Sequence, residues 1–371
     1  MHFGEPIDDE RALALLRPGG GIDTVITADA YGAGEADALL GRALEGVPRE
    51  SYCLVGAIGH DFYEGEREGA KGFPRFTDAR LRGEDGYASY IRMATERSLE
   101  RCGVDAFDVL LLHNPDHVGY RSEAVWQGMA AMREHGLARR IGIAPGPANG
   151  FTLDVIECLE RFGEMIDWAM LILGPLEPWP GELVLGAADA RGVGVITRVV
   201  DYGGMLHDDV LPGQQLAERD HRKFRPEGWI EQGRSRLERM RPVAQRHGLT
   251  MLQLACAWNL AHDAVRCVAP TLIQEIGPDA RPIEDKRAEL AQLGASPLSP
   301  EEVAEIRALG DNTGCMTLKG ASLEHEGPGK PDRWGLDEQL AAVAGRWGIE
   351  PERDLNAHSG AMATNELRGT R

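Results

Sequence analysis

The chain has 371 residues, with 40 Lys and Arg against 59 Asp and Glu, for a formal net charge of −19. That balance excludes nucleic acid or an anionic membrane as the main partner, because phosphates would be repelled; no apolar run approaches the roughly 18 residues of a membrane span. No basic and apolar leader opens the sequence, and the six cysteines (53, 102, 158, 256, 267 and 315) show no CxxC spacing, so a cytoplasmic protein with reduced thiols and no metal site is expected.

Taken in chain order, the pattern alternates strand and helix. A short helix is expected at Glu10–Leu16 and a strand at Ile22–Thr27. Ala36, Leu39, Leu40, Ala43 and Leu44 then form one apolar helical face. A strand at Tyr52–Ile58 leads into the long segment Gly59–Gly86, which mixes charge, glycine and aromatics. Phe107–Leu112, Arg140–Ala144, Trp168–Leu173 and Val193–Val199 read as further strands. Between them lie helices at Glu123–His135, Leu153–Phe162 and Gly181–Arg191, the first two each followed by a glycine stop. A second long segment, Val200–Gly233, precedes helices at Arg234–His247 and Met251–Ala261 and a last strand at Val265–Ala269. Ser299, Pro300 and Glu302 form a capping box that opens another helix. Beyond about Asp311 the chain is punctuated by Gly and Pro, with one helix expected at Asp337–Trp347.

Most of these strands lack polar alternation, which suits a parallel sheet covered by helices on both sides. Seven strand–helix units point to an α/β protein with a (β/α)₈ TIM barrel. The eighth strand has room only before Ile22, where Met1–Gly4 is a stub, so a short or truncated first strand is expected. A doubly wound open sheet is the rival, but no GxGxxG follows any strand. Residues 1–310 are expected to form the barrel, and 311–371 a C-terminal extension packing on it. The two long segments leave the C-terminal ends of strands, where barrel active sites lie, and are expected to fold over the pocket.

Several blocks in order resemble the aldo-keto reductase superfamily. Gly21–Gly41 (GIDTVITADAYGAGEADALLG) is similar to the stretch around that family's catalytic tyrosine. Phe107–Pro115, Gly136–Ile143, Gly192–Ile196 and Gly248–Trp258 match later blocks. The resemblance implies the barrel fold and NADP(H)-dependent carbonyl chemistry by an Asp, Tyr, Lys and His tetrad. Tyr31 fits the tyrosine and His113 the histidine. The aspartate position holds Ile26 and the lysine position holds Ala57. The cofactor positions depart as well: Ala144–Pro145 stands where the family has Ser-Asn, Met170 where it has Gln, and Thr271–Gln274 where it has a phosphate-binding loop. Arg281, Lys286 and Arg287 follow and are read as a possible different anion site.

Without the lysine cation, a phenol keeps its ordinary pKa near 10 and is a proton donor but a poor base. Tyr31 and His113 are therefore read as the catalytic pair, with His113 as acid/base. Asp29, His60 and Asp61 are possible substitutes for the lost groups. Arg198 is placed where it can hold a substrate anion, and Trp179 and Tyr202 are read as pocket walls. His207–Asp208–Asp209 reads as a solvated loop face, and His113–His117 as no metal cluster. The favoured function is cofactor-free isomerisation or elimination on a small carbonyl or polyhydroxy substrate. The alternative is a divergent NAD(P)-dependent oxidoreductase in which His60, Asp61 or Lys71 replaces the lysine; a catalytically inactive binding protein is a third.

Overall fold

The computed structural model describes residues 3–67, 72–146, 151–218, 220–225, 227–313 and 336–355. Seven strands form one sheet in sequence order: β1 (Thr24–Ile26), β2 (Cys53–Ile58), β3 (Phe107–His113), β4 (Ala138–Ala144), β5 (Trp168–Ile172), β6 (Gly194–Arg198) and β7 (Val265–Ala269). Every neighbouring pair is parallel. Helices α2 (Glu35–Leu44), α3 (Tyr87–Cys102), α5 (Glu123–Glu134), α6 (Thr152–Phe162), α7 (Glu182–Ala190) and the pair α8 (Trp229–Arg246) and α9 (Met251–Leu260) connect successive strands, with α4 (His117–Arg121) as a short turn before α5. This is the one-direction winding of a barrel.

The expected eighth strand is corrected. Among the described residues there is no strand before β1, and β1 does not pair with β7. Met1 and His2 lie outside the described residues. The first strand is only three residues long, so too little backbone is extended there to offer a full ladder. Helix α1 (Asp9–Leu16) and helix α10 (Ile283–Leu290), which follows β7, are instead tied together by side chains. Arg287 donates to the carbonyls of Leu15 and Arg17, and Arg11 donates to Glu284 and Gln274.

Alternation along the strands separates two cores. Outward residues such as Leu54, Ile58, Leu110, Leu112, Ile141 and Ile143 pack under the helices with Trp126 and Trp258. Inward residues form a smaller cluster of Ala28, Val55, Ala57, Val109, Leu111, Ala144, Met170 and Ile196, with Ile26 packed against it. At about 25 cal/mol per Å² of apolar surface buried, both layers contribute to stability, the outer one more. Capping boxes at Thr250–Gln253 and at Ser299–Glu302 set the starts of α9 and of α11 (Pro300–Leu309). Helix α12 (Glu338–Arg346) buries Leu340, Val343 and Ala344, and Arg346 and Trp347 bond to Glu160 of α6.

Candidate active site

Tyr31 follows β1 on a tight turn, Tyr31–Gly34, in which Gly32, Ala33 and Gly34 all have positive φ. Gly34, at φ +98°, lies against the Arg101 guanidinium, and a Cβ there would meet it at 2.7 Å. This left-handed turn, which glycine adopts without steric cost, stands the tyrosine at the C-terminal end of the strand. Tyr31 is 53% exposed. His113, the last residue of β3, points inward beside it, and the two rings meet edge to face at 5.6 Å. His60 also meets the His113 ring, at 5.0 Å between ring centres. Three polar rings, centred on His113, thus gather at the strand ends.

His60 is held by the first long segment. It pairs with Arg75 across an antiparallel bridge. Arg75 Nη1 lies 2.9 Å from His60 Nδ1, and Asn114 Nδ2 lies 3.2 Å from His60 Nε2. His60 Nδ1 also lies 3.1 Å from the Phe73 carbonyl, so the same nitrogen faces a donor and an acceptor. Arg75 Nε also donates to the carbonyl of Asn114. Arg75 is the site residue that sequence reasoning missed, because it sits in an irregular segment with no periodicity to mark it. Lys71 lies outside the described residues.

Arg198 ends β6 two residues beyond Ile196 of the interior cluster, so it faces the mouth. It reaches over β5 and donates to the carbonyl of Pro145, at 3.0 Å, just past the end of β4. The Tyr31 phenol lies within its electrostatic range. The residues directly after His113 and Arg198 both have positive φ: Asn114 at 46° and Val199 at 60°. A β-branched residue in that region costs energy, and such strain gathers at working sites.

Other expected site residues fall elsewhere. Asp29 is fully buried, but on the outer side of the strand, away from the inward Ala28. Burial, reinforced by the nearby Asp37, raises its pKa well above the ordinary carboxylate range. Asp61 is buried in an ion pair with Arg82 at 2.5 Å and accepts from the backbone N–H groups of Tyr63 and Glu64. Trp179 is not an open pocket wall: its indole donates to the Asp354 carbonyl, and its backbone bonds both ways with Asn312. Tyr202 is buried against Trp229, with the Arg225 guanidinium over its ring. His207–Asp208–Asp209 is not a solvated face. His207 and Asp209 are buried, and Asp208 pairs with Arg234 and Arg241. Among the described residues no group of three metal-ligating side chains comes together.

Comparison with known proteins places the chain. The model of the Aldo/keto reductase family matches residues 1–311. The chain belongs to the aldo-keto reductase family. A probable aldo-keto reductase 1 of Glycine max is 24% identical over 331 residues, covering 87% of this chain and 86% of the relative. A 6-dehydroglucose reductase of Agrobacterium fabrum is 23% identical over 255 residues, covering 66% and 71%. An aldo/keto reductase from Klebsiella pneumoniae, solved with NADP and acetate, shares the fold with a TM-score of 0.53. It has 20% identity, with 81% of this chain and 85% of that one covered.

The family implies a nicotinamide dinucleotide, whose phosphates need donors. Around the ends of β6 and β7 several donors of the described residues are already engaged. Asp201, fully buried, accepts from the N–H groups of Gly204 and Thr271, each at 2.6 Å. Arg222 is gripped by Asp220 and Glu275, both at 2.6 Å. Lys286 pairs with Asp209, and Arg281 with Glu289. Arg287 is turned onto backbone carbonyls, so the anion site expected from Arg281, Lys286 and Arg287 is corrected: their charges serve the fold. In this arrangement these residues do not fit a dinucleotide held by its phosphates.

Proposed function

We propose that this chain is an enzyme that moves a proton to or from the oxygen of a small carbonyl or polyhydroxy compound at the barrel mouth, with Tyr31 at that oxygen and His113 behind it. The observation that carries this reading is the contact of Tyr31 and of His60 with His113 at the strand ends. A phenol donates to a carbonyl oxygen and polarises it, and an imidazole exchanges protons near neutral pH. His60, in contact with Arg75 and Asn114, is the second ring against His113.

Two chemistries share that proton transfer. In the first it accompanies oxidation or reduction, and the enzyme is a divergent NAD(P)-dependent oxidoreductase. The relatives support this version: the Agrobacterium protein is named a 6-dehydroglucose reductase, and the Klebsiella protein was solved with NADP. In the second, proton transfer is the whole reaction, an isomerisation or elimination without a nicotinamide. The side chains of this protein support that version. Ile26 and Ala57 fill the tetrad's aspartate and lysine positions with apolar groups, and the cations near β7 are engaged by the chain's own carboxylates.

A titration with NADPH and NADH, followed by a carbonyl and sugar panel with and without nucleotide, separates them. Micromolar binding with carbonyl-dependent nucleotide oxidation selects the first. Nucleotide-free turnover that disappears in Tyr31→Phe selects the second. Turnover under neither condition overturns the proposal.

A further inference from the structure

We infer that the mouth takes a substrate carrying an anionic group, a carboxylate or a phosphate monoester, held between Arg198 and Arg75. The inference rests on the placement of the site at Tyr31 and His113 and adds the charge of its substrate. Several shielded arginines of this acidic chain face carboxylates: Arg82 faces Asp61, Arg101 faces Asp37, Arg121 faces Glu157, and Arg222 faces Asp220 and Glu275. Arg225 instead lies over the Tyr202 and Trp229 rings and donates to the Tyr202 carbonyl. Among the described residues, Arg198 and Arg75 at the mouth have neither kind of partner for their charge, and neither has a carboxylate within ion-pair distance. Each is held by a backbone carbonyl, Pro145 O for Arg198 and Asn114 O for Arg75.

Those two carbonyls stand at the adjacent ends of paired strands. His113 of β3 is in register with Ala144 of β4, and the Asn114 N–H bonds to the Ala144 carbonyl at 2.7 Å. The two guanidiniums therefore approach the same strand ends from β6 and from the segment after β2. A carbonyl orients a guanidinium but brings no net charge, so neither cation has a carboxylate in contact in a poorly solvated site, although Asp116 lies within electrostatic range of Arg75. Burial accordingly lowers the pKa of each from its ordinary value. Glu177 lies within electrostatic range of Arg198 but is not among its ion-pair partners. Arginine's planar fork suits carboxylate and phosphate oxygens, which would supply the missing charge.

The test is calorimetric titration of the full chain with acetate, inorganic phosphate, D-glucuronate, glucose 6-phosphate and, as the neutral control, D-glucose. At least one anion is expected to bind tenfold or more tightly than glucose, and the glucuronate and glucose 6-phosphate arms tell carboxylate from phosphate. Arg198→Met is expected to weaken that anion at least tenfold, and Arg198→Lys less. Arg75→Met is expected to act in the same direction, with thermal melting to confirm that each variant is folded. No saturable binding of any anion, or anion binding unchanged in Arg198→Met, overturns the inference. In Tyr31→Phe the anion affinity is expected to stay within threefold. Turnover retained in Tyr31→Phe together with Arg198-dependent anion binding would therefore sink the proton-transfer reading and leave this one standing.

Discussion

The carboxylate of Asp209 lies 2.6 Å from the ammonium of Lys286, and both side chains are closed off from solvent. Lys286 also donates to the Ile273 carbonyl at 2.6 Å. This pair fastens the long segment after β6 to α10 over the end of β7. Removing one partner of a buried pair strands the other charge and costs about 3–5 kcal/mol. Asp209→Asn is expected to lose that much in urea unfolding, and a loss under about 1 kcal/mol would show that the pair does not hold the segment.

Asp29 gives a pH dependence with a definite sign. Its pKa is raised in the folded protein by burial, so between the unfolded value near 3.9 and the folded one the native state binds more protons than the unfolded state. Its stabilising share is complete below the unfolded value and falls by about 1.4 kcal/mol per pH unit as pH rises through that window. Asp29→Asn removes the titration. The variant is expected to gain on the unmodified protein as pH goes from 4 to 7, measured by urea unfolding at each pH. A constant difference would mean that Asp29 is ionised in the fold.

Ile26 and Ala57 make the loss of the tetrad pair a question of packing. Both belong to the apolar interior, Ala57 as a buried member and Ile26 packed against it. Ala57→Lys alone would put an ammonium among Val55, Val109 and Leu111 and is expected to destabilise by several kcal/mol. The double variant Ile26→Asp with Ala57→Lys is expected to cost less than the sum of the singles, by at least about 1 kcal/mol, if the two positions still face each other. Strict additivity in a double-mutant cycle would show that they do not.

Much of the fold was legible because apolar runs and glycine stops report burial directly. All seven strands lie where the runs placed them, though Ile22–Thr27 shortens to Thr24–Ile26. Helix α3 escaped notice: its buried face of Tyr87, Tyr90, Ile91, Ala94, Ser98 and Leu99 mixes aromatics with small and polar residues, which dilutes the periodicity. Helix α8 begins at Trp229, five residues before the expected start, because Gly228 in the left-handed region turns the chain there. The site was legible at Tyr31 and His113 through strand-end motifs. Arg75, the bond of Asp201 to the Thr271 N–H and the ion pairs of Asp209 with Lys286 and Glu275 with Arg222 were not, since they join segments far apart in sequence and involve irregular loops. The roles expected of Asp29 and Asp61 went astray for a related reason: nearness to Tyr31 or to the end of β2 in sequence does not fix which side of the sheet a residue occupies.

The segment 336–355 contributes to the stability of the barrel. Leu340 is fully buried between α12 and its neighbours, and Arg121 reaches Asp337 at 3.1 Å. Leu340→Ala is expected to destabilise the whole chain by about 2–5 kcal/mol in a single transition. A separate early transition, with the main one unmoved, would show that this segment folds independently of the barrel.

The central claim is that the chemistry runs through Tyr31 and His113, and turnover of a carbonyl and sugar panel by single variants tests it most directly. Tyr31→Phe keeps the ring and removes only the hydroxyl; His113→Ala removes the imidazole that meets it at 5.6 Å. General acid–base groups contribute about 10²–10⁴-fold, so each variant is expected to lose at least a hundredfold in kcat on whichever substrate the unmodified protein turns over, with folding unchanged by thermal melting. Turnover by Tyr31→Phe within threefold of the unmodified protein would contradict the account.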